Sequence, residues 1–142
     1  MRKLLLSSAL VSVFALGVAG CSKSSKDDSA QAKSNVPTVT IDELDTSLAT
    51  AAVQPVDANG EQTRKKMGVI PGAVLLTDSE TFGLSELPAD KTKPLVFYCG
   101  STSCGASHEA ASKAITAGYK NVKVLPDGIA GWVKAGKKVQ NI

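Results

Sequence analysis

The segment Pro94-Leu95-Val96-Phe97-Tyr98 is continuously apolar and ends at Cys99. The small and polar run Gly100-Ser101-Thr102-Ser103-Cys104-Gly105-Ala106-Ser107-His108 follows, and then a helical pattern begins. A short apolar run without alternation is a strand covered on both faces, as in a parallel sheet. Parallel neighbours need crossover connections, so helices must alternate with strands along the chain. The same segment places chemistry. A cysteine between a buried strand and a helix N-terminus sits where backbone N–H groups converge and the helix dipole is positive, and that field favours the reactive thiolate.

The rest of the chain supplies the alternation. Thr40-Ile41-Asp42-Glu43 is a capping box and predicts a helix over 41–52 with Ile41, Leu44 and Leu48 inward. A strand is expected over 53–57, broken by Asn59-Gly60, and a charged helix over 61–67, stopped by Gly68 and Pro71. Residues 72–76 form the next strand, and a turn or short helix over 84–87 precedes Pro88. The helix from Ser107 carries Ala110, Ala111, Ala114 and Ile115 at helical spacing, with Gly118 as its stop. A strand over 122–125 and a final helix over 128–135 complete an α/β fold with a central, mostly parallel sheet flanked by helices. Tyr119 and Trp132 are expected in the core, Lys91 and Lys93 in solvent.

Of the 142 residues, the first twenty have a different character. Met1-Arg2-Lys3, a short apolar stretch from Leu4 to Ala19 and then Gly20-Cys21 describe a secretory signal peptide over 1–20. Val18-Ala19-Gly20-Cys21 resembles the bacterial lipobox, which implies a lipidated Cys21 as the mature N-terminus. Residues 21–36 are polar up to Asn35, with nothing to bury, and are expected to form a flexible tether ahead of a domain over 37–142. Ser22 and Lys23 stand where an inner-membrane retention Asp is common, so an outer-membrane anchor facing the periplasm is favoured over an inner one. Loss of Arg2 and Lys3 lowers the formal charge from +3 to about +1. No basic stripe is interleaved with aromatics, which argues against nucleic acid as a partner. With Cys21 lipidated, Cys99 and Cys104 are the remaining thiols, either a disulfide or a redox couple in an exported protein.

Five blocks in order resemble the rhodanese family: Pro55-Val56-Asp57, Gly68-Val69-Ile70-Pro71-Gly72-Ala73, Pro94 to Cys99, Ala117-Gly118-Tyr119-Lys120-Asn121-Val122, and Gly128-Ile129-Ala130-Gly131-Trp132. The resemblance implies a sulfurtransferase in which Cys99 carries a persulfide at the base of a loop of inward-pointing amides. Gly100, Ser101, Thr102, Ser103, Cys104 and Gly105 would form that loop. The thiolate would take sulfur from a small donor such as thiosulfate and pass it to a thiol or another nucleophile. No cofactor or metal is implied, and the amides would stabilise thiolate and persulfide without a general base.

Departures sharpen the question. The position five residues past the cysteine, often Arg in this family, is Cys104 here, and Val69 stands where His is common. Cys104 is either a second thiol able to form a disulfide with Cys99 or a residue that fills the space of the missing Arg. Asp57 and Arg64 match an acid at a strand end and a nearby base, and would support the loop or bring positive potential to its mouth. His108 completes C-x4-C-x3-H, but a metal site would still need a fourth ligand or an open position. It is read as an exposed early-helix residue with at most a supporting role. A phosphatase-type oxyanion clamp is excluded because residues 100–106 contain no Arg. Two other classes stand beside the enzyme: a non-catalytic rhodanese-like binding module, and a Cys99/Cys104 dithiol redox protein.

Overall fold

The computed structural model describes residues 35–142. The expected signal peptide, Cys21 and nearly all of the expected tether lie outside those residues. Val36, set at the boundary between the expected tether and the domain, is buried in the core.

Thr40 caps α1 (Ile41–Ala49) as expected: its hydroxyl accepts from the Glu43 N–H at 3.3 Å and its own N–H donates to the Glu43 carboxylate at 2.8 Å. The helix ends three residues before the expected Ala52, because Thr50 closes it and Ala51 turns to a φ of 52°. β1 (Gln54–Asp57), α2 (Glu61–Met67) and β2 (Val74–Leu75) follow, then a 3-10 turn at Leu84–Glu86. β3 (Leu95–Tyr98), α3 (Ala106–Thr116), β4 (Val122–Leu125) and α4 (Gly128–Lys134) complete the chain. β2 has two residues rather than the expected five, since it pairs with β1 only at Val56–Val74 and Asp57–Leu75.

The strands form one parallel sheet in the order β2-β1-β3-β4, with β3 central. Leu95, Phe97 and Cys99 project to one face, into a cluster with Val56, Val124 and the alanines of α3. Val96 and Tyr98 project to the other, onto Leu44, Ile129 and Trp132 of α1 and α4. Both faces of β3 are buried, which is why its sequence is unbroken by polar residues.

Ser107, Ala110, Ala111 and Ala114 form the buried stripe of α3. Ile115, expected to point inward, is 42% exposed. At about 100° per residue it falls roughly a quarter-turn off the stripe. Lys91 is exposed, as expected, and it also makes a specific contact. Its ammonium donates to the Ala117 carbonyl at 2.6 Å, a cation at the C-terminus of α3. Lys93 reaches the Gln54 side chain at 3.4 Å. Tyr119 and Trp132 are buried, each with its polar tip bonded to a backbone carbonyl, at Pro88 and Lys138 respectively.

Candidate active site

Cys99 follows the last residue of β3 and continues its alternation, so the side chain turns toward α3 and is only 2% exposed. Its Sγ lies 3.3 Å from the Ser107 hydroxyl and 3.2 Å from the Cys104 carbonyl oxygen. The first turn of α3 therefore stands at the sulfur. The Ser107 hydroxyl and the helix N-terminus favour a thiolate there, while the Cys104 carbonyl disfavours it. Ser107 is a site residue that the sequence did not single out. Its signal is its place: second in the helix, on the buried stripe, and itself 1% exposed.

The loop after Cys99 has an exposed tip at Thr102 and Ser103, with Gly100, Ser101, Cys104 and Gly105 half-buried at its base. The Cys104 N–H donates to the Ser101 carbonyl at 3.0 Å, a tight turn that brings the chain back on itself. This amide, expected to face a ligand, is thereby engaged within the loop. Ser101 and Ser103 hydroxyls lie 3.1 Å apart across the tip. Cys99 and Cys104 are paired as a disulfide with their Cα atoms 6.3 Å apart, inside the range such bonds take.

Two elements brace the loop from behind. The N–H groups of Ile129 and Ala130 in α4 donate to the carbonyls of Cys99 and Gly100 at 2.8 and 3.0 Å. This approach requires a glycine at 128. A Cβ there would meet the Cys99 carbonyl oxygen and lie 2.8 Å from the Gly100 carbonyl carbon, and the backbone has a φ of 59°. On the other side, Asp57 at the end of β1 is wholly buried and ion-paired with Arg64 of α2 at 3.2 Å. Asp57 also accepts from the Asn59 N–H at 2.6 Å. The Asn59 side chain lies beside Gly100, 3.7 Å from where a Cβ would stand, and its amide nitrogen is buried without a hydrogen-bond partner. Asp57 and Arg64 thus hold the segment on which the loop after Cys99 rests.

Arg64 donates twice more, to the carbonyls of Asp57 at 3.1 Å and Leu76 at 2.8 Å. Its guanidinium is tied to buried acceptors, so it acts as a brace rather than as free positive charge. Tyr98, the partner of Asp57 across the sheet, accepts the Ile70 N–H at 3.0 Å. Burial, reinforced by the Asp57 carboxylate, pushes its phenol well above the ordinary range.

His108 neighbours Ser107 but points elsewhere, since adjacent helix positions diverge by about 100°. Its N–H bonds the Gly105 carbonyl at 2.9 Å, and the residue is half-buried. Among the described residues no group of three or more His, Cys, Asp or Glu is placed to hold a metal ion, and no helix is long and apolar enough to cross a membrane. A cavity of about 370 Å³ lies among Val39, Leu44, Val53, Leu95 and Val122, at the amino ends of the strands. The cysteine loop occupies the carboxyl end, where parallel α/β sheets bind ligands.

The Rhodanese-like domain family model matches residues 40–135. Among solved structures, a Bacillus halodurans protein superimposes with a TM-score of 0.66 at 23% identity, covering 74% of this chain and 77% of that one. The rhodanese-like domain of an Anabaena protein gives 0.62 at 22% identity over 75% and 80% of the two chains. A human single-domain sulfurtransferase gives 0.56 at 20% identity over 70% and 96%. No curated protein sequence matches the chain. With four parallel strands, a cysteine at the end of the central one and two-thirds of its length matched, this chain belongs to the rhodanese-like domain family.

Proposed function

We propose that the protein is a sulfurtransferase that carries sulfane sulfur on Cys99. The observation that carries this reading is the setting of Cys99: a buried sulfur at the end of the central strand, under an exposed loop tip, with the Ser107 hydroxyl 3.3 Å away. In the forward step the Cys99 thiolate attacks the outer sulfur of a donor such as thiosulfate. The Cys99–sulfur bond forms, the donor's sulfur–sulfur bond breaks, and sulfite leaves with its electron pair. The persulfide anion is stabilised by N–H groups of the 100–105 loop other than that of Cys104, and by the start of α3. A thiol or another nucleophile then takes the outer sulfur and returns Cys99 as thiolate. Asp57 and Arg64 keep the supporting segment in place, with α4 bonding the loop carbonyls.

The same proposal places the domain at a membrane, exported and anchored by lipid on Cys21, facing the periplasm, with the outer membrane favoured. Its partners are a small sulfur donor and a thiol acceptor. A dithiol redox function is the second reading, favoured by the Cys99–Cys104 disulfide.

One set of measurements separates them. The full chain, purified in detergent and reduced, is assayed for sulfur transfer from thiosulfate and from polysulfide to cyanide and to a thiol. Transfer that disappears in Cys99→Ser supports the sulfurtransferase. Absence of transfer with every donor in both wild type and Cys104→Ser, together with reversible dithiol–disulfide exchange in wild type, supports the redox protein instead. Incorporation of labelled fatty acid that is lost in Cys21→Ser tests the anchor.

A further inference from the structure

The disulfide joins the sulfur-carrying cysteine to a second thiol contributed by its own loop. Cys104 is brought there by the turn in which its N–H bonds the Ser101 carbonyl, and its half-buried side chain packs against the cluster that contains Cys99. The two Cα atoms are 6.3 Å apart with five residues' separation, so sulfur–sulfur contact needs no movement of β3 or α3. Cys104 therefore reaches the inner sulfur of a Cys99 persulfide, which is Cys99 Sγ itself. An external thiol must first enter past the loop.

We propose that Cys104 is a resolving thiol that discharges the Cys99 persulfide within the chain and releases its outer sulfur as hydrosulfide. The proposal rests on the sulfurtransferase reading above. Cys104 Sγ attacks Cys99 Sγ, the Sγ–Sγ bond forms, and the bond from Cys99 Sγ to the outer sulfur breaks. The bonding pair leaves with the outer sulfur, which takes the Cys104 proton and departs as HS⁻. The sulfane sulfur is reduced to sulfide while the two cysteine thiols are oxidised to the disulfide. Hydrogen sulfide is a stronger acid than a cysteine thiol. Attack on the inner sulfur, which expels hydrosulfide, therefore expels a better leaving group than attack on the outer sulfur, which expels the Cys99 thiolate. A dithiol reductant then opens the disulfide and becomes a disulfide itself, regenerating both thiols. The acceptor of reducing equivalents is thus the chain, and its recurring partner is a dithiol rather than a single thiol.

The test is a single turnover without added acceptor. The full chain is reduced, freed of reductant under anaerobic conditions, and given one equivalent of polysulfide or thiosulfate. Hydrosulfide is measured by derivatisation and the cysteines by mass spectrometry of peptides. The wild type is expected to release about one hydrosulfide per chain and to finish as the Cys99–Cys104 disulfide, without accumulating persulfide. Cys104→Ser and Cys104→Ala are expected to lose this release and to hold one extra sulfur on Cys99 until an external thiol is added. Wild type that retains the Cys99 persulfide as fully as the two variants overturns the resolving role and leaves the sulfurtransferase reading standing. Variants that acquire no extra sulfur from either donor, with wild type releasing none, overturn both.

Discussion

Replacing Gly128 by alanine puts a methyl group where α4 meets the carbonyl of Cys99. The new carbon would overlap the Cys99 carbonyl oxygen and approach the Gly100 carbonyl carbon and oxygen at 2.8 and 2.9 Å. These are backbone atoms, so no side chain can swing aside, and α4 must withdraw. Withdrawal breaks the Ile129 and Ala130 hydrogen bonds to the two loop carbonyls, at about 1 kcal/mol each. The positive φ of 59° adds about 1 kcal/mol for any residue with a Cβ. The total is about 3 kcal/mol, a large share of a stability of the usual order of 5–15 kcal/mol. Gly136 is the control, because its φ of 72° is also positive but nothing lies within 4 Å of its added carbon. Gly136→Ala should cost only the conformational part, about 1 kcal/mol. Urea unfolding under reducing conditions reads both variants through the fluorescence of Trp132, the single tryptophan, which is 2% exposed in α4 itself. Gly128→Ala should also slow persulfide loading of Cys99. Equal losses in the two variants, or unchanged loading in Gly128→Ala, would refute the close-approach argument.

Three further outcomes are expected. Ser107→Ala, made in a Cys104→Ser background, removes the hydroxyl beside Cys99 Sγ and should move thiol alkylation to higher pH. The pH profile of alkylation would report this, and an unmoved profile would deny Ser107 a part in positioning the charge. Arg64→Ala leaves the wholly buried Asp57 carboxylate without its partner and should cost about 3–5 kcal/mol in urea unfolding. Arg64→Lys should restore little of this loss, because one ammonium cannot serve the carboxylate and the carbonyls of Asp57 and Leu76 together; full rescue would contradict the bracing role. Hydrogen bonds from Thr40, Thr81, Thr77 and Thr92 hold the carboxyls of Glu43, Asp78, Glu86 and Asp90 below their ordinary ranges. Their contribution is complete above the unfolded values of 4.5 for Glu and 3.8 for Asp and is lost as pH falls through the lower folded values. Tyr98 acts with the opposite sense, its contribution present below 10 and lost as pH rises beyond it. Stability that held constant on acidification through that window would contradict these assignments.

What local sequence encodes, it displays. The capping box at Thr40, the charged helix over Glu61–Met67 and the apolar run of β3 all depend on residues a few positions apart, and each forms at its expected place. Cys99 was legible for the same reason, as the junction of a strand and a loop. The features that shape its chemistry are contacts between distant segments, and no local pattern announces them. Gly128 meets the Cys99 carbonyl across the loop, and Lys91 reaches α3 from 26 residues away. Ser107 differs, since only its position on the buried stripe distinguishes it from Ser101 and Ser103 in the loop. Ile115 shows the reverse error. Its apolar side chain suggested burial, but the stripe set by four smaller residues turns it outward. The pairing of Cys99 with Cys104 stood between them, because spacing permits the bond and only the fold brings the sulfurs together.

The central claim is that Cys99 carries sulfur. Peptide mass spectrometry of reduced Cys104→Ser after exposure to thiosulfate or polysulfide tests it most directly. The account predicts one added sulfur on the peptide containing Cys99, removed by cyanide and missing when Cys99 is also changed to serine. An unmodified Cys99 peptide with both donors would contradict it.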